Sequence, residues 1–349
     1  MFQDINIDEL LALREKKEIV LIDVRSPSEY REATIPGSHN IPLFDDAERA
    51  EVGTIYKQIS NQAAKKRGLE IVSAKLPNFI EEFQGIEGQK VVFCWRGGMR
   101  SKTTATLLSL MDVHVCRLQG GVRAYRKWIV DQLEKIEVKA EPIVLNGYTG
   151  AGKTVILHKL EEMGHPVLDL EGIANHRGSI FGQIGLEPNN QKSFDSLLVE
   201  KLIELQNAPY ILFEAESKRI GKATMPQFLV EKKEQGFQVF VDMPVDERVR
   251  HIIEDYQPEN HHEECLEAFR KIKNRLHTPI AAQIDADLSS GDYASGVRLL
   301  LEHYYDPRYK HTAEQFAQNR RITIQPKNAD QAVEQIIDIL RTKFKTAVS

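Results

Sequence analysis

Cysteine is scarce in this chain. Only Cys94, Cys116 and Cys265 occur in 349 residues, and no two form a CxxC pair. An odd, scattered set excludes a disulfide framework and fits a reducing cytoplasm. Long apolar runs are missing too, since no stretch approaches the roughly 18 residues that a membrane helix needs. Met1-Phe2-Gln3-Asp4 carries neither a basic region nor an apolar run, so no signal peptide is expected. Excess positive charge is absent. Lys and Arg number 46 against 51 Asp and Glu, a net charge of −5. A polyanion would therefore have to be met by local basic patches. Metal-ligand spacing is lacking as well: His261, His262 and Cys265 have no second pair and read as the polar start of a helix. No metal and no tightly bound cofactor is expected, and internal repeats and low-complexity segments are absent.

What is present is enough apolar content, 42% of the residues, to bury a sizeable core. The length favours two domains, which we place at residues 1–135 and 136–349. The most informative stretch of the first is Val91-Val92-Phe93-Cys94-Trp95-Arg96-Gly97-Gly98-Met99-Arg100-Ser101. Three apolar residues read as a buried strand, Cys94 stands at its end, and Ser101 to Leu110 reads as a helix. A loop between a strand end and a helix start turns several backbone N–H groups inward and forms an anion nest. The nest, the helix dipole, Arg96 and Arg100 suit a thiolate nucleophile attacking sulfur, selenium or phosphorus. The plainer reading is a buried free cysteine, which the flanking Arg-Gly-Gly-x-Arg argues against. Arg100 is the expected bidentate partner of a tetrahedral anion in the nest formed by Trp95, Arg96, Gly97, Gly98, Met99 and Ser101.

Earlier in the chain, Asp8 to Lys17 reads as an amphipathic helix and Ile19 to Ile22 as a buried strand. Asp23-Val24-Arg25, Ser28-Glu29-Tyr30 and Ile35-Pro36-Gly37-Ser38-His39-Asn40-Ile41-Pro42 follow. This pattern, with the Cys94 loop behind it, resembles the rhodanese family over about a third of the chain. The resemblance implies a doubly wound α/β domain whose cysteine carries a persulfide or related intermediate. Five residues separate Cys94 from Arg100, one more than is usual in the sulfurtransferases. In that respect the loop resembles those of rhodanese-like dual-specificity phosphatases. Between signature and loop, Glu48 to Gln58 and Ala63 to Gly68 look like an insertion. Its Lys65-Lys66-Arg67 could touch a nucleic-acid backbone, with a solvated helix face as the default reading. Cys116, inside a strand from Val113 to Leu118, reads as a packing residue.

In the second domain, the strand Pro142 to Asn146 runs into Gly147-Tyr148-Thr149-Gly150-Ala151-Gly152-Lys153-Thr154, a full GxxxxGK[ST] phosphate-binding loop, and a helix from Val155 to Glu162 follows. Gly147, Gly150 and Gly152 let the backbone close on phosphates, Lys153 reaches a phosphate oxygen, and Thr154 would ligate Mg²⁺ if a metal is used. Further strands are expected at Val167–Leu170, Pro209–Glu214, Gln238–Asp242 and Arg321–Ile324. The alternation with helices argues for a P-loop α/β domain with a parallel sheet and a helical extension. Glu214 and Glu216, at a strand's carboxyl end, are the candidate acidic partners of the loop. From Asp246 to Thr312 the chain reads as largely helical, with basic and aromatic residues interleaved. Lys218, Arg219, Arg248, Lys271, Lys273 and Arg275 are the candidate cations for a nucleic-acid backbone. Tyr256, Phe269, Tyr293, Tyr304, Tyr305 and Tyr309 are either base-stacking rings or core aromatics.

The Cys94 loop, the P-loop, Glu214-Ala215-Glu216-Ser217-Lys218-Arg219-Ile220-Gly221 and Tyr305-Asp306-Pro307-Arg308-Tyr309 together resemble the bacterial tRNA 2-selenouridine synthase family. That resemblance implies an enzyme replacing sulfur by selenium in wobble 2-thiouridine of tRNA. Selenophosphate would be the selenium donor, and geranyl diphosphate would supply an S-geranyl intermediate. Two other classes stay open on the residues alone. One is a rhodanese-like phosphatase or sulfurtransferase tethered to a P-loop nucleotide-binding module; the other is a sulfur-relay adaptor without catalysis. The expected setting is cytoplasmic, without membrane contact, and the sequence is compatible with a monomer while fixing no oligomeric state.

Overall fold

In a computed structural model the chain folds as two compact units, Met1–Ile136 with Asp195–Val199, and Glu137–Phe194 with Glu200–Ser349. The structure describes residues 2–16, 19–309 and 318–344. The expected helix end at Lys17, the stretch up to Thr312 and the side chain of Tyr309 lie outside what is described.

The first unit is built on β1 (Gln3–Ile5), α1 (Ile7–Glu15), β2 (Ile19–Asp23), α2 (Pro27–Glu32), β3 (His39–Asn40), α3 (Asp46–Gln58), α4 (Asn61–Gln84), β4 (Gln89–Phe93), α5 (Met99–Leu110), β5 (Val115–Leu118) and α6 (Gly121–Lys135). Its five strands run parallel in the order β1-β5-β4-β2-β3. A parallel strand flanked on both faces needs an unbroken apolar run. Val91, Val92 and Phe93 of β4 are accordingly all buried. α1 starts where Asn6 and Glu9 form a reciprocal capping box. The insertion forms α3 and α4, and its basic triplet lies on α4. Arg67 there is paired with Glu51 at 2.6 Å, while Lys65 and Lys66 are exposed.

The second unit comprises β6 (Glu141–Gly147), α7 (Lys153–Glu162), α8 (Leu170–Ala174), α9 (Gln191–Glu204), β7 (Tyr210–Glu214), the hairpin β8 (Arg219–Ile220) and β9 (Ala223–Thr224), α10 (Gln227–Gln235) and β10 (Phe237–Val241). Helices α11 (Val245–Tyr256), α12 (His262–Arg270), α13 (Thr278–Ser290) and α14 (Tyr293–Leu300) follow. A π-helical turn, Leu301–Tyr305, leads to α15 (Asp306–Tyr309), and β11 (Arg321–Ile324) and α16 (Ala329–Phe344) close the unit. The sheet is parallel, in the order β11-β10-β6-β7. The expected strand at Val167–Leu170 is reduced to one parallel bridge, Val167 to Leu212. The Asp169 side chain accepts the Gly172 N–H at 2.7 Å and starts α8 instead. Ile143, Leu145, Ile156, Leu157, Leu212, Val239 and Ile336 fill the core between sheet and helices, each contributing about 1.5–3 kcal/mol by its burial.

Helices α12 to α14 pack around a second apolar cluster that contains Phe269, Tyr293 and Tyr304. These three rings pack in the core, and Tyr304 also reaches the wall of the P-loop cleft. His261 pairs with Glu264 at 2.9 Å and His262 with the Tyr293 hydroxyl at 2.8 Å, as suits a polar helix start. Among the described residues no helix is long and apolar enough to cross a membrane.

Candidate functional sites in the two units

Cys94 sits directly after β4, and its thiol lies 3.2 Å from the Ser101 hydroxyl. The loop is fixed from outside itself. The Cys94 carbonyl accepts the Val122 N–H and the Trp95 carbonyl accepts the Arg123 N–H, each at 3.0 Å. Arg117 donates to the Gly97 carbonyl at 2.8 Å. The close approach depends on Gly121, whose φ is +55°. A Cβ there would stand 1.9 Å from the Cys94 carbonyl oxygen. At Gly97, with φ +62°, a Cβ would stand 2.7 Å from the Gly120 nitrogen and 2.9 Å from the Leu118 carbonyl oxygen. On the rim, Trp95 and Met99 are exposed, as are Arg96 and Gly98.

Arg100 does not turn its fork on an empty nest. It donates both terminal nitrogens to Glu29, one at 3.1 Å and the other closer still. Burial pushes the Glu29 carboxyl up, and the hydrogen bond and charge of Arg100 outweigh it, leaving the carboxyl below its usual range. Asp23 and Arg25 form the expected buried ion pair, and Thr34 also donates to Asp23 at 2.9 Å.

In the second unit, Gly150 (φ +79°) and Gly152 (φ +71°) turn the P-loop between β6 and α7. Side chains are barred from both positions. A Cβ at Gly150 would meet Ile252 at 2.8 Å, and one at Gly152 would meet the His251 ring at 2.9 Å. The loop lines a cleft of about 950 Å³, with Lys153, Thr154, His176, Glu216 and Lys233 on its walls. Beside it lies a cavity lined almost wholly by apolar groups, among them Ile252, Leu288, Val297 and Leu300. It is far smaller than the cleft, about 50 Å³. Thr149, Ser179, Ile252, Tyr256 and Tyr305 belong to both walls.

The carboxylate that touches the P-loop is Glu171, which accepts the Thr154 hydroxyl at 2.8 Å. Glu214 lies behind it, fully buried, accepting the N–H groups of Leu170 and Glu171 at 3.2 and 3.1 Å. Burial, with Glu216 next, pushes Glu171 up to about 8. Burial, followed by Asp169 and Glu171, raises Glu214 as well. Glu216 faces the cleft, and a Cβ at Gly178 would meet both its carboxylate and that of Glu171 within 2.7 Å. Glu171 stands at the carboxyl end of the Val167–Leu168 segment, a position whose acidic residue was the available signal.

The basic residues fall into two groups. Lys218, Arg219, Lys271 and Arg275 are exposed. Lys273 is half-exposed and paired with Asp285 at 2.7 Å. Arg248 needs a correction, because it is not a surface cation. Its side chain is 2% exposed, it clamps Asp306 with two bonds, and it donates to the Thr149 carbonyl of the P-loop at 2.9 Å. An amphipathic helix that carries its arginine inward looks the same in sequence as one that carries it outward.

Comparison with known proteins adds the decisive match. The model of the tRNA 2-selenouridine synthase AAA domain fits residues 140–345, and that of the rhodanese-like domain fits residues 6–128. The chain belongs to the tRNA 2-selenouridine synthase family. A member from Sulfurovum sp. is 32% identical over 329 residues, covering 85% of this chain and 89% of that protein. One from Nitrosomonas europaea is 30% identical over 339 residues, covering 94% and 87%. One from Bdellovibrio bacteriovorus is 31% identical over 366 residues, covering 92% and 95%. Among solved structures, the N-terminal domain of a putative ATP/GTP binding protein from Clostridium difficile 630 is 37% identical over 37% of this chain and 99% of its own, with a TM-score of 0.35. Membership makes the chain an enzyme of tRNA modification, with a rhodanese-like domain followed by a P-loop domain.

Proposed function

We propose that this enzyme replaces sulfur by selenium in wobble 2-thiouridine of tRNA, in two half-reactions assigned to the two units. In the first, the thiocarbonyl sulfur bonds to C1 of geranyl diphosphate as the C1–O bond breaks and diphosphate leaves. The N3 proton of the base departs, giving a neutral S-geranyl pyrimidine. In the second, the Se–P bond of selenophosphate is cleaved with transfer of the phosphoryl group to water as phosphate, selenium adds to C2, and geranylthiol leaves with a proton. Alkylation makes physical sense, because it converts a poor leaving group into a thiol.

The observation that carries this reading is the shared wall between the P-loop cleft and the apolar cavity. The chemistry of the two linings, polar in the cleft and apolar in the cavity of about 50 Å³, suits a diphosphate head and the start of a hydrocarbon tail; a nucleoside triphosphate has no such tail. The P-loop amides and Lys153 would hold the diphosphate and stabilise the charge that grows on it as it leaves. Thr154 already donates its hydroxyl proton to Glu171. Its oxygen lone pairs stay available, and Thr154 would be the residue to hold a phosphate-bound Mg²⁺, which would offset charge on the leaving diphosphate. Among the described residues no group of three or more His, Cys, Asp or Glu side chains could hold a metal by itself. Cys94, hydrogen-bonded to Ser101 at the floor of its loop, would attack the phosphorus of selenophosphate, breaking the P–Se bond and releasing selenide for addition to C2, and water would then free phosphate from the thiol.

The test is nucleoside mass spectrometry of tRNA after incubation with geranyl diphosphate and selenophosphate. Cys94→Ser is expected to accumulate S-geranyl-2-thiouridine and stop. Lys153→Ala is expected to leave 2-thiouridine unaltered and to recover selenation on tRNA already geranylated. A folded, tRNA-binding Cys94→Ser protein that cannot geranylate would refute the division.

A further inference from the structure

The rim of the Cys94 loop is unlike that of a simple anion site. Inorganic anions are held by N–H groups and cations, yet two of the most exposed side chains here are an indole and a thioether. Trp95 is 39% exposed and Met99 60%. Leaving such groups in water forfeits the stabilisation that burial would bring, so the fold gains nothing from them where they stand.

The Trp95 backbone is also held in place. Its carbonyl accepts the Arg123 N–H, and the neighbouring Cys94 carbonyl accepts that of Val122. The Arg25 guanidinium, itself fixed by Asp23, lies 6.0 Å from the ring centroid. The ring is therefore an exposed aromatic surface one residue from the thiol, on a fixed backbone and with a cation near one face. Two cations accompany it: Arg96 and Arg123 are exposed, and neither has a carboxylate within 4.0 Å among the described residues. An exposed aromatic face with unneutralised arginines beside it is the combination that binds an unstacked nucleotide, base on ring and phosphate on guanidinium.

We propose that Trp95 is the platform on which the uracil ring of the target nucleotide stacks, with Arg96 and Arg123 taking its flanking phosphates. This rests on the reading that the base receives selenium at the Cys94 loop. Specificity for an unpaired pyrimidine then comes from access. A ring still stacked in a helix cannot lie flat on the indole, whereas a base of a single-stranded loop can.

The protein has two tryptophans, Trp95 and Trp128. In the full-length Trp128→Phe protein, Trp95 fluorescence is expected to be quenched on titration with an anticodon stem-loop carrying S-geranyl-2-thiouridine at the wobble position. The Trp95→Phe protein, which retains Trp128, is expected to bind the same stem-loop by filter retention without quenching. In steady-state selenation of pre-geranylated tRNA, Trp95→Ala should raise KM roughly 5- to 150-fold, with Trp95→Phe within about 3-fold of the parent. The rate of Cys94 alkylation by iodoacetamide should be the same in all three, which separates lost stacking from a damaged loop. Unchanged KM in Trp95→Ala, or quenching of Trp95 by inorganic phosphate alone, would overturn the proposal. If Cys94→Ser still selenated, the underlying reading would fail instead; Cys94-dependent selenation indifferent to Trp95→Ala would strike this inference alone.

Discussion

Replacing Arg248 by Ala should damage the P-loop unit far more than it damages contact with tRNA. The guanidinium is 2% exposed and faces an Asp306 carboxylate that is 17% exposed. Removing one partner of a buried pair costs about 3–5 kcal/mol, because a charge is left without compensation. The residual exposure of Asp306 favours the lower end, about 3 kcal/mol. The bond to the Thr149 carbonyl adds about 1 kcal/mol, and the approach of Arg248 to the Tyr148 ring, 5.0 Å from its centroid, adds less. A loss of about 4 kcal/mol in a unit of roughly 200 residues corresponds to a fall in Tm of about 8–16 °C. Thermal denaturation followed by calorimetry reads it directly. Arg248→Ala/Asp306→Ala should recover part of the loss, since the orphaned carboxylate is gone, and the double-mutant cycle then reports their coupling. Per folded molecule, tRNA affinity should keep its salt dependence, whereas losing a phosphate contact would lower the slope by about 0.7–0.9. A fully stable Arg248→Ala protein with a reduced salt slope would refute the burial argument and return this residue to the tRNA surface.

Two further outcomes follow from the packing. Gly121→Ala would put a Cβ 1.9 Å from the Cys94 carbonyl oxygen, so the loop must shift; selenation of pre-geranylated tRNA should fall at least tenfold while geranylation persists, and equal activity in both assays would show that the stitch between α6 and the loop is dispensable. Glu214 is fully buried with its pKa raised above 4.5 by burial, then by Asp169 and Glu171. Such a group holds its proton more tightly folded than unfolded, so its contribution is complete below about pH 4.5 and is lost as pH rises toward the folded pKa. Tm measured from pH 5 to 9 should therefore decline with pH more steeply in the parent than in Glu214→Gln, and parallel curves would remove Glu214 from the account.

Local patterns carry much of this architecture in the order of residues alone. The β4 strand and its loop announce themselves through Val91-Val92-Phe93 and Gly97-Gly98, and the P-loop through its spacing. What is not legible in the sequence depends on distance along the chain. Arg100 finds Glu29 71 residues away, and Arg248 finds Asp306 58 away. Thr154 finds Glu171 across only 17 residues, but through a turn that replaces the expected strand. Val167–Leu170 has strand composition. The Asp169 carboxylate supplies a competing bond to the Gly172 N–H, and the local cap prevails over the pattern. Phe269, Tyr293 and Tyr304 are buried by the packing of α12 to α14, and composition does not reveal which face of a helix looks inward.

The pairing of Arg100 with Glu29 has a consequence for what the Cys94 loop ignores. A cell is full of small anions, ambient phosphate above all, and an open nest with a free arginine would be occupied most of the time. Here a tethered carboxylate holds the guanidinium, at the high effective concentration of any intramolecular partner. An incoming anion gains only the difference between its own bonds and those it displaces. A passing anion therefore gains less from Arg100 than it would from an unpaired guanidinium, and a ligand anchored elsewhere as well is the better placed to displace Glu29.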